Sequence, residues 1–313
     1  MARIYSDLTE LVGGTPLVQI NKLSTEPLHA RVLAKLEFYN PASSVKDRTA
    51  LSIVNAAEAD GRLQPGGTIL EATSGNTGVA FAWIGAIRGY RVIIVMPDDV
   101  SDERYALLRA LGAEVLFTPG SEGMAGANQL ANAMVEADAS LFLSGQGGND
   151  ANPQVHESTT GPEIWADTDG QVDVFLATTG TGVTVSGTGR YLRSQNPNVE
   201  LYGVEPAEAA VLNGNEWHAH KIQGITGGNG VPPVTDLELL NGVLTVPQDE
   251  AIALARRAYR TEGLIIGISS GAALHAALQL AAKPEYEDKT IVTVLCDTGE
   301  RYISSELFDH IRD

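Results

Sequence analysis

The chain has 313 residues, 43% of them hydrophobic, and its 39 acidic side chains against 21 Lys and Arg give a formal net charge of −18. That length and apolar content can bury a substantial core in one large or two medium domains, while the negative surface disfavours nucleic acid and anionic membranes, both of which would repel it. The only cysteine, Cys296, ends the apolar run Ile291-Val-Thr-Val-Leu-Cys296; it leaves no intrachain disulfide to form and reads as a buried structural thiol. The opening residues lack an apolar core of signal-peptide length, and no later run reaches the roughly 18 apolar residues a membrane helix needs, so the chain is expected in the cytoplasm.

Taken in chain order, short β-rich runs alternate with helical periodicity. The pattern predicts a strand over 31–36, a helix over 45–59, a strand over 68–71, a helix over 77–88, a strand over 91–96, a helix over 101–111 and a strand over 114–117. After the turn-forming stretch Ser144-Gly-Gln-Gly-Gly-Asn-Asp-Ala-Asn-Pro153, it predicts strands over 172–177, 200–204 and 290–295 and helices over 187–194, 248–262 and 271–282. Alternating βα units imply parallel sheets, and this count fills two doubly wound α/β lobes. The stretch 144–153 is read as the crossing between them. In open α/β sheets ligands bind beyond the carboxyl ends of the strands, so chemistry is expected in a cleft between the lobes.

Of six lysines (Lys22, Lys35, Lys46, Lys221, Lys283 and Lys289), Lys46 stands apart, because Asn40-Pro-Ala-Ser-Ser-Val-Lys-Asp-Arg48 puts it at the first turn of a predicted helix. The positive end of the helix dipole disfavours an ammonium there and makes the amine a better nucleophile, suited to a Schiff base. A solvated first-turn lysine paired with Asp47 is the plain alternative.

Three further segments bear on the choice. Glu71-Ala-Thr-Ser-Gly-Asn-Thr-Gly78 joins a strand to a helix; free N–H groups with the Thr73, Ser74 and Thr77 hydroxyls could hold a carboxylate and Asn76 could reach a ring oxygen, although simple Ser/Thr capping accounts for the pattern equally well. Thr178-Thr-Gly-Thr-Gly-Val-Thr184 follows a strand and has the small residues and hydroxyls of a phosphate loop. A dinucleotide reading fails at the third glycine, because Val185 stands where G-x-G-x-x-G needs Gly or Ala. In Gly267-Ile-Ser-Ser-Gly-Ala-Ala273, capping explains one serine and the other could hydrogen-bond a pyridine nitrogen, leaving that nitrogen largely unprotonated. The six histidines are scattered, with no third ligand beside His218-Ala-His220, so no metal is expected. Gly267-Ile-Ser-Ser-Gly271 has the spacing of a G-x-S-x-G nucleophile elbow, but no strong strand precedes it, so a serine hydrolase is not expected.

In this order the segments resemble the cysteine synthase (O-acetylserine sulfhydrylase) and cystathionine β-synthase family of fold-type II pyridoxal phosphate (PLP) enzymes, from about Leu8 to Ile311. The likeness extends to Gly14-Thr-Pro-Leu17, Thr160-Gly-Pro-Glu-Ile-Trp165, Tyr202-Gly-Val-Glu-Pro206 and Gly299-Glu-Arg-Tyr302. It implies a tryptophan synthase β-subunit-like fold, with residues 1–45 and 146–313 as a larger PLP-binding lobe and 46–145 as a smaller mobile substrate-binding lobe.

The resemblance further implies that Lys46 forms the internal aldimine, that Asn76 meets the PLP 3′-oxygen, and that Gly180, Thr181, Gly182, Val183 and Thr184 bind its phosphate. Ser269 rather than Ser270 would face the pyridine nitrogen, and Thr73, Ser74, Thr77 and Gln146 would hold the substrate carboxylate. The implied reaction makes L-cysteine from O-acetyl-L-serine and sulfide through an aminoacrylate, with the free Lys46 amine removing the α-proton.

A homodimer is expected by the same likeness, as is capture of the carboxyl tail of serine acetyltransferase. Three departures from the family pattern stand out: Val183 for glycine in the phosphate loop, Gly147 for the aromatic residue after the glutamine, and the loop Gly224-Ile-Thr-Gly-Gly-Asn-Gly230. The last two leave O-phosphoserine, thiosulfate or homocysteine open as substrates, the last as in cystathionine β-synthase. Dehydratase and threonine synthase relatives share the fold and the lysine, but Thr73-Ser-Gly-Asn-Thr-Gly78 favours β-replacement.

Overall fold

The computed structural model describes residues 4–98, 100–226 and 230–311. Its main elements are β1 (Leu17–Gln19), β2 (Arg31–Leu36), α1 (Lys46–Ala59), β3 (Thr68–Ala72), α2 (Asn76–Arg88), β4 (Arg91–Pro97), α3 (Asp102–Ala110), β5 (Glu114–Thr118), α4 (Gly123–Ala137) and β6 (Leu141–Leu143). The chain continues with α5 (Ala151–Val155), a π-helical turn (His156–Thr160), α6 (Gly161–Asp167), β7 (Val174–Thr178), α7 (Val183–Gln195), β8 (Glu200–Pro206), β9 (Gly242–Val246), α8 (Gln248–Thr261), α9 (Ile268–Ala281) and β10 (Thr290–Leu295). Two compact units result: residues 1–12 with 40–152, and residues 13–39 with 153–313.

In the first unit the strands run β5-β4-β3-β6, all parallel. The strands are near-continuous apolar runs, as strands covered on both faces must be: in β4 every residue after Arg91 is buried. Alternation sends Ile69, Val92 and Ile94 to a core with α1 and α2, where Ile53, Val54, Phe81 and Ile84 are fully buried. Leu70, Ile93 and Val95 go to the opposite face, against Ala127 and Ala131 of α4.

In the second unit the order is β1-β2-β10-β7-β8-β9, parallel except for β1, which pairs antiparallel with β2. Helices α8 and α9 cover one face through Leu254, Ala255, Leu274 and Ala277, and α6 and α7 cover the other through Ile164, Val185 and Leu192. Lys35, next to the last residue of β2, is fully buried; its Nζ donates to Thr15 O at 2.6 Å and lies 3.0 Å from Glu163 and 3.2 Å from Asp167. Such a buried cation persists only because partners surround it.

The doubly wound α/β expectation holds in each unit. The antiparallel β1, the short strands β6 and β9 and the helices α4 to α6 are additional to the sequence reading. Helix α7 begins four residues earlier than expected, because Gly182 takes a left-handed conformation (φ 71°) and turns the chain directly into the helix. Cys296 is half-buried rather than buried, with Sγ 3.6 Å from Thr178 Oγ1. Among the described residues no helix is long and apolar enough to cross a membrane.

Candidate active site

In each unit the candidate residues gather where strands end and helices begin. Lys46 is the first residue of α1, as its sequence context predicts. The turn ahead of it is pinned by its neighbour: the Asp47 carboxylate, fully buried, accepts from Ala42 N at 2.5 Å and from Ser44 Oγ at 3.4 Å. Asp47 is thus turned back toward residues 42–44, and the half-buried Lys46 side chain leaves from the positive end of a 14-residue helix.

Strand β3 delivers the turn 73–75, with Thr73 N held on Val95 O at 3.0 Å. The N-cap of α2 is Gly75, and no side chain caps the helix there, so the Ser/Thr-capping account of this motif does not apply. The Thr73 hydroxyl instead accepts from Gly75 N at 3.3 Å. Asn76 opens α2 and is half-buried, while Thr77 in the same turn is buried.

Strand β6 lies beside β3, with Leu143 opposite Leu70, so the loop after β6 rises next to the loop after β3. That adjacency brings Gln146 to Thr77: Thr77 Oγ1 donates to Gln146 Oε1 at 2.9 Å. On its other side Gln146 Nε2 donates to Glu71 Oε1 at 2.9 Å, and Ser144 Oγ donates to Glu71 Oε2. Burial pushes the Glu71 carboxyl up to about 7, against the opposing pull of the Ser144 and Gln146 hydrogen bonds and the charge of Lys46. Glu71 has no assigned role in the sequence reading. Its signal was there, an acid at the end of an apolar strand, but only the fold shows Ser144 and Gln146 converging on it.

In the second unit β7 runs into residues 179–182. This loop is anchored from outside: Thr179 N and Oγ1 donate to Val204 O at 2.9 and 3.0 Å, Thr226 N donates to Thr179 O at 2.9 Å, and Thr235 Oγ1 donates to Thr181 O at 2.8 Å. A Cβ at Gly180 would stand 2.7 Å from Gly224 O, so only glycine lets these two backbone segments approach so closely. No side chain caps α7 at Gly182. The Val183 side chain is buried in the helix packing, which leaves its N–H at the helix start in place of the glycine N–H that the family pattern carries.

Thr184 Oγ1 lies 3.4 Å from His156 Nε2, whose Nδ1 lies 2.9 Å from Thr160 Oγ1. His156 is a neighbour of the loop that the sequence gave no reason to single out. Ser269 and Ser270 sit in the first turn of α9. Ser270 Oγ accepts from Cys296 N at 3.0 Å and so ties α9 to the end of β10, which leaves Ser269 as the serine without that structural duty. Of the loop departing from the family pattern, residues 227–229 lie outside the described residues.

A cradle of glycine backbone with an uncapped helix start suits a group ending in a single phosphate, and a lysine at a helix start suits a carbonyl cofactor. Residues 8–297 match the pyridoxal-phosphate dependent enzyme family. The chain belongs to that family, and pyridoxal phosphate is its cofactor. Among known relatives, a cysteine synthase of Staphylococcus aureus is 44% identical over 303 residues, covering 96% of each chain. The crystal structure of cysteine synthase from Entamoeba histolytica superposes with a TM-score of 0.95 at 42% identity, over 99% of this chain and 92% of that one. O-ureido-L-serine synthase is similar at a TM-score of 0.94 and 40% identity, over 99% and 97% of the two chains.

Proposed function

We propose that the chain makes L-cysteine from O-acetyl-L-serine and sulfide, with acetate as the second product. The observation that carries this reading is the uncapped turn 73–75 beside the Thr77–Gln146 pair, in the same unit as a lysine at a helix start. Relatives named cysteine synthase support it.

Lys46 would carry the cofactor, with Asn76 on its ring oxygen, residues 180–184 on its phosphate and Ser269 on its pyridine nitrogen. Bound there, pyridoxal phosphate supplies an electron sink for negative charge developing at the substrate Cα. A neutral serine on the pyridine nitrogen suits loss of a β-substituent better than amino-group transfer.

Thr73, Ser74, Thr77 and Gln146 bind the substrate carboxylate through hydroxyls, an amide and the positive end of α2. Carboxylate held at that point orients Cα toward Lys46, whose free amine takes the α-proton, and departure of the acetoxy group leaves Cβ open to sulfide. Movement of the substrate-binding part of the chain on carboxylate binding would keep water from the reacting carbon. Homodimer formation and cytoplasmic residence belong to the same proposal. A serine acetyltransferase tail ending in a carboxylate would compete with substrate for the same four residues.

The test is the visible absorption of the purified holoenzyme. The cofactor band is expected to move to longer wavelength on addition of O-acetylserine and to return on addition of sulfide, with cysteine appearing in equal amount. A band that O-acetylserine leaves unmoved would reject the reading.

A further inference from the structure

Gln146 presents an amide, and an amide recognises a carboxylate only when its N–H side faces it. In this chain the orientation is set from behind. Gln146 Nε2 gives one hydrogen to Glu71 Oε1 at 2.9 Å, and Gln146 Oε1 takes the Thr77 hydroxyl at 2.9 Å. A flipped amide would set Oε1 against the Glu71 carboxylate and lose that bond, whereas the Thr77 hydroxyl can accept from Nε2 as well as donate to Oε1, so the orientation is set by Glu71. Glu71 is only 2% exposed, so it meets no solvent that could take over the task.

We propose that Glu71 is the positioning residue of the amino-acid carboxylate site: it fixes the Gln146 amide in one orientation and takes up a proton as the substrate carboxylate binds. The inference rests on the proposed assignment of Gln146 and Thr77 to that carboxylate. A substrate carboxylate on Gln146 places a second negative charge one side chain away from a buried first one, and two carboxylates so placed favour protonation of one of them. The proton comes from solvent and resides on Glu71 Oε2, from which it is donated to Ser144 Oγ. Oε1 keeps its acceptor lone pairs and with them its hold on Gln146, so the amide stays oriented in both charge states.

The surroundings favour this change. Glu71 shares its side of β3 with Ile69, facing α1 and α2. Helix α1 brings Lys46, whose charge acts on Glu71, together with Asp47, Arg48 and Glu58, and the Asp47 carboxylate is turned to Ala42 N. Helix α2 carries no titratable group before Arg88, β4 carries only Arg91 at its far end, β6 carries none, and the loop after β6 has Asp150 beyond the contacts of Ser144 and Gln146. Burial already pushes the Glu71 carboxyl up to about 7, so a modest further push from a bound anion moves it across neutral pH.

Glu71→Gln and Glu71→Leu test the proposal in the holoenzyme. The glutamine can accept from Gln146 and donate to Ser144, so it keeps the orientation and removes the titration; the leucine removes both. For Glu71→Leu, KM for O-acetylserine is expected to rise about tenfold or more, kcat to change by less than about threefold, and the resting cofactor spectrum to stay that of the wild type.

For Glu71→Gln, KM near pH 6 is expected to match the wild type, while the ratio of wild-type to variant KM climbs several-fold, roughly, by pH 8.5. Dissociation constants for L-serine, read from the cofactor band without turnover, should show the same climb. A flat ratio with Glu71→Gln would overturn proton uptake, and an unchanged KM with Glu71→Leu would overturn positioning; should the leucine variant not fold, the glutamine ratio decides. A wild-type band that ignores O-acetylserine would instead sink the proposed reaction, and this inference with it.

Discussion

At the carboxyl edge of the four-stranded sheet the candidate binding atoms belong to side chains: Thr77 meets Gln146, Gln146 meets Glu71, and Glu71 meets Ser144. At the carboxyl edge of the six-stranded sheet they belong to the backbone, with Gly180 pressed against Gly224 and Gly182 turning into α7. The linked side chains of one edge can therefore change charge with pH, whereas the backbone groups of the other cannot. In the proposed function that division suits the ligands, because the cofactor phosphate must stay bound through every turnover while the substrate carboxylate must come and go.

Four substitutions would break or sharpen this contrast. The largest effect is expected from Lys46→Ala, which should lower turnover by at least about 10³-fold and abolish the response of the cofactor band to O-acetylserine, with the melting temperature near that of the wild type. Wild-type turnover in that variant would mean that the first unit's edge does not carry the chemistry.

Gly180→Ala comes next. Its Cβ would fall 2.7 Å from Gly224 O, so the cradle must open, and PLP affinity measured by equilibrium reconstitution should drop by about 10-fold or more. The Lys46-side spectral response should survive at saturating cofactor.

Glu71→Gln should then show its effect in stability. The wild-type carboxyl titrates near 7 when folded and near its ordinary 4.5 when unfolded, so the folded form holds a proton the unfolded chain has released. That contribution is fully present below about pH 4.5 and is lost as the pH rises through 7, at most about 3 kcal/mol in all. The variant's melting temperature should therefore gain on the wild type between pH 5 and pH 8, and parallel curves would contradict it.

Val183→Gly should matter least to the cofactor, with PLP affinity equal to or tighter than that of the wild type, because the backbone N–H persists. It should nonetheless cost stability, about 1 kcal/mol or more from helix propensity and lost burial of a side chain only 1% exposed. Clearly weaker PLP binding would show that the valine itself is required.

Much of this was legible in the sequence, for a physical reason. Strands covered on both faces are near-continuous apolar runs, so β10 matches its predicted bounds, and so does β2 although Lys35 interrupts it. Helix starts marked by special residues, such as Lys46 and Asn76, lie within one residue of expectation. Among the elements that escaped, β1, β6 and β9 have only three to five residues and too little periodicity to declare themselves, whereas the 15-residue α4 escaped despite its length. Glu71 and His156 escaped differently. Each acts through partners far along the chain, Ser144 and Gln146 for one and Thr184 for the other, and no local pattern encodes a meeting that only the fold arranges.

The pairing of β2 with β10 also sets an order of events during synthesis. Residues 40–152 contain every strand of the four-stranded sheet and leave the ribosome as a block. Strand β2 emerges before them, yet its parallel neighbour, Thr290–Leu295, is made well after them. A nascent chain paused soon after residue 152 has cleared the exit tunnel is therefore expected to resist protease within 40–152 while residues 13–39 are still cut, and the six-stranded sheet should close only once Thr290–Leu295 has emerged.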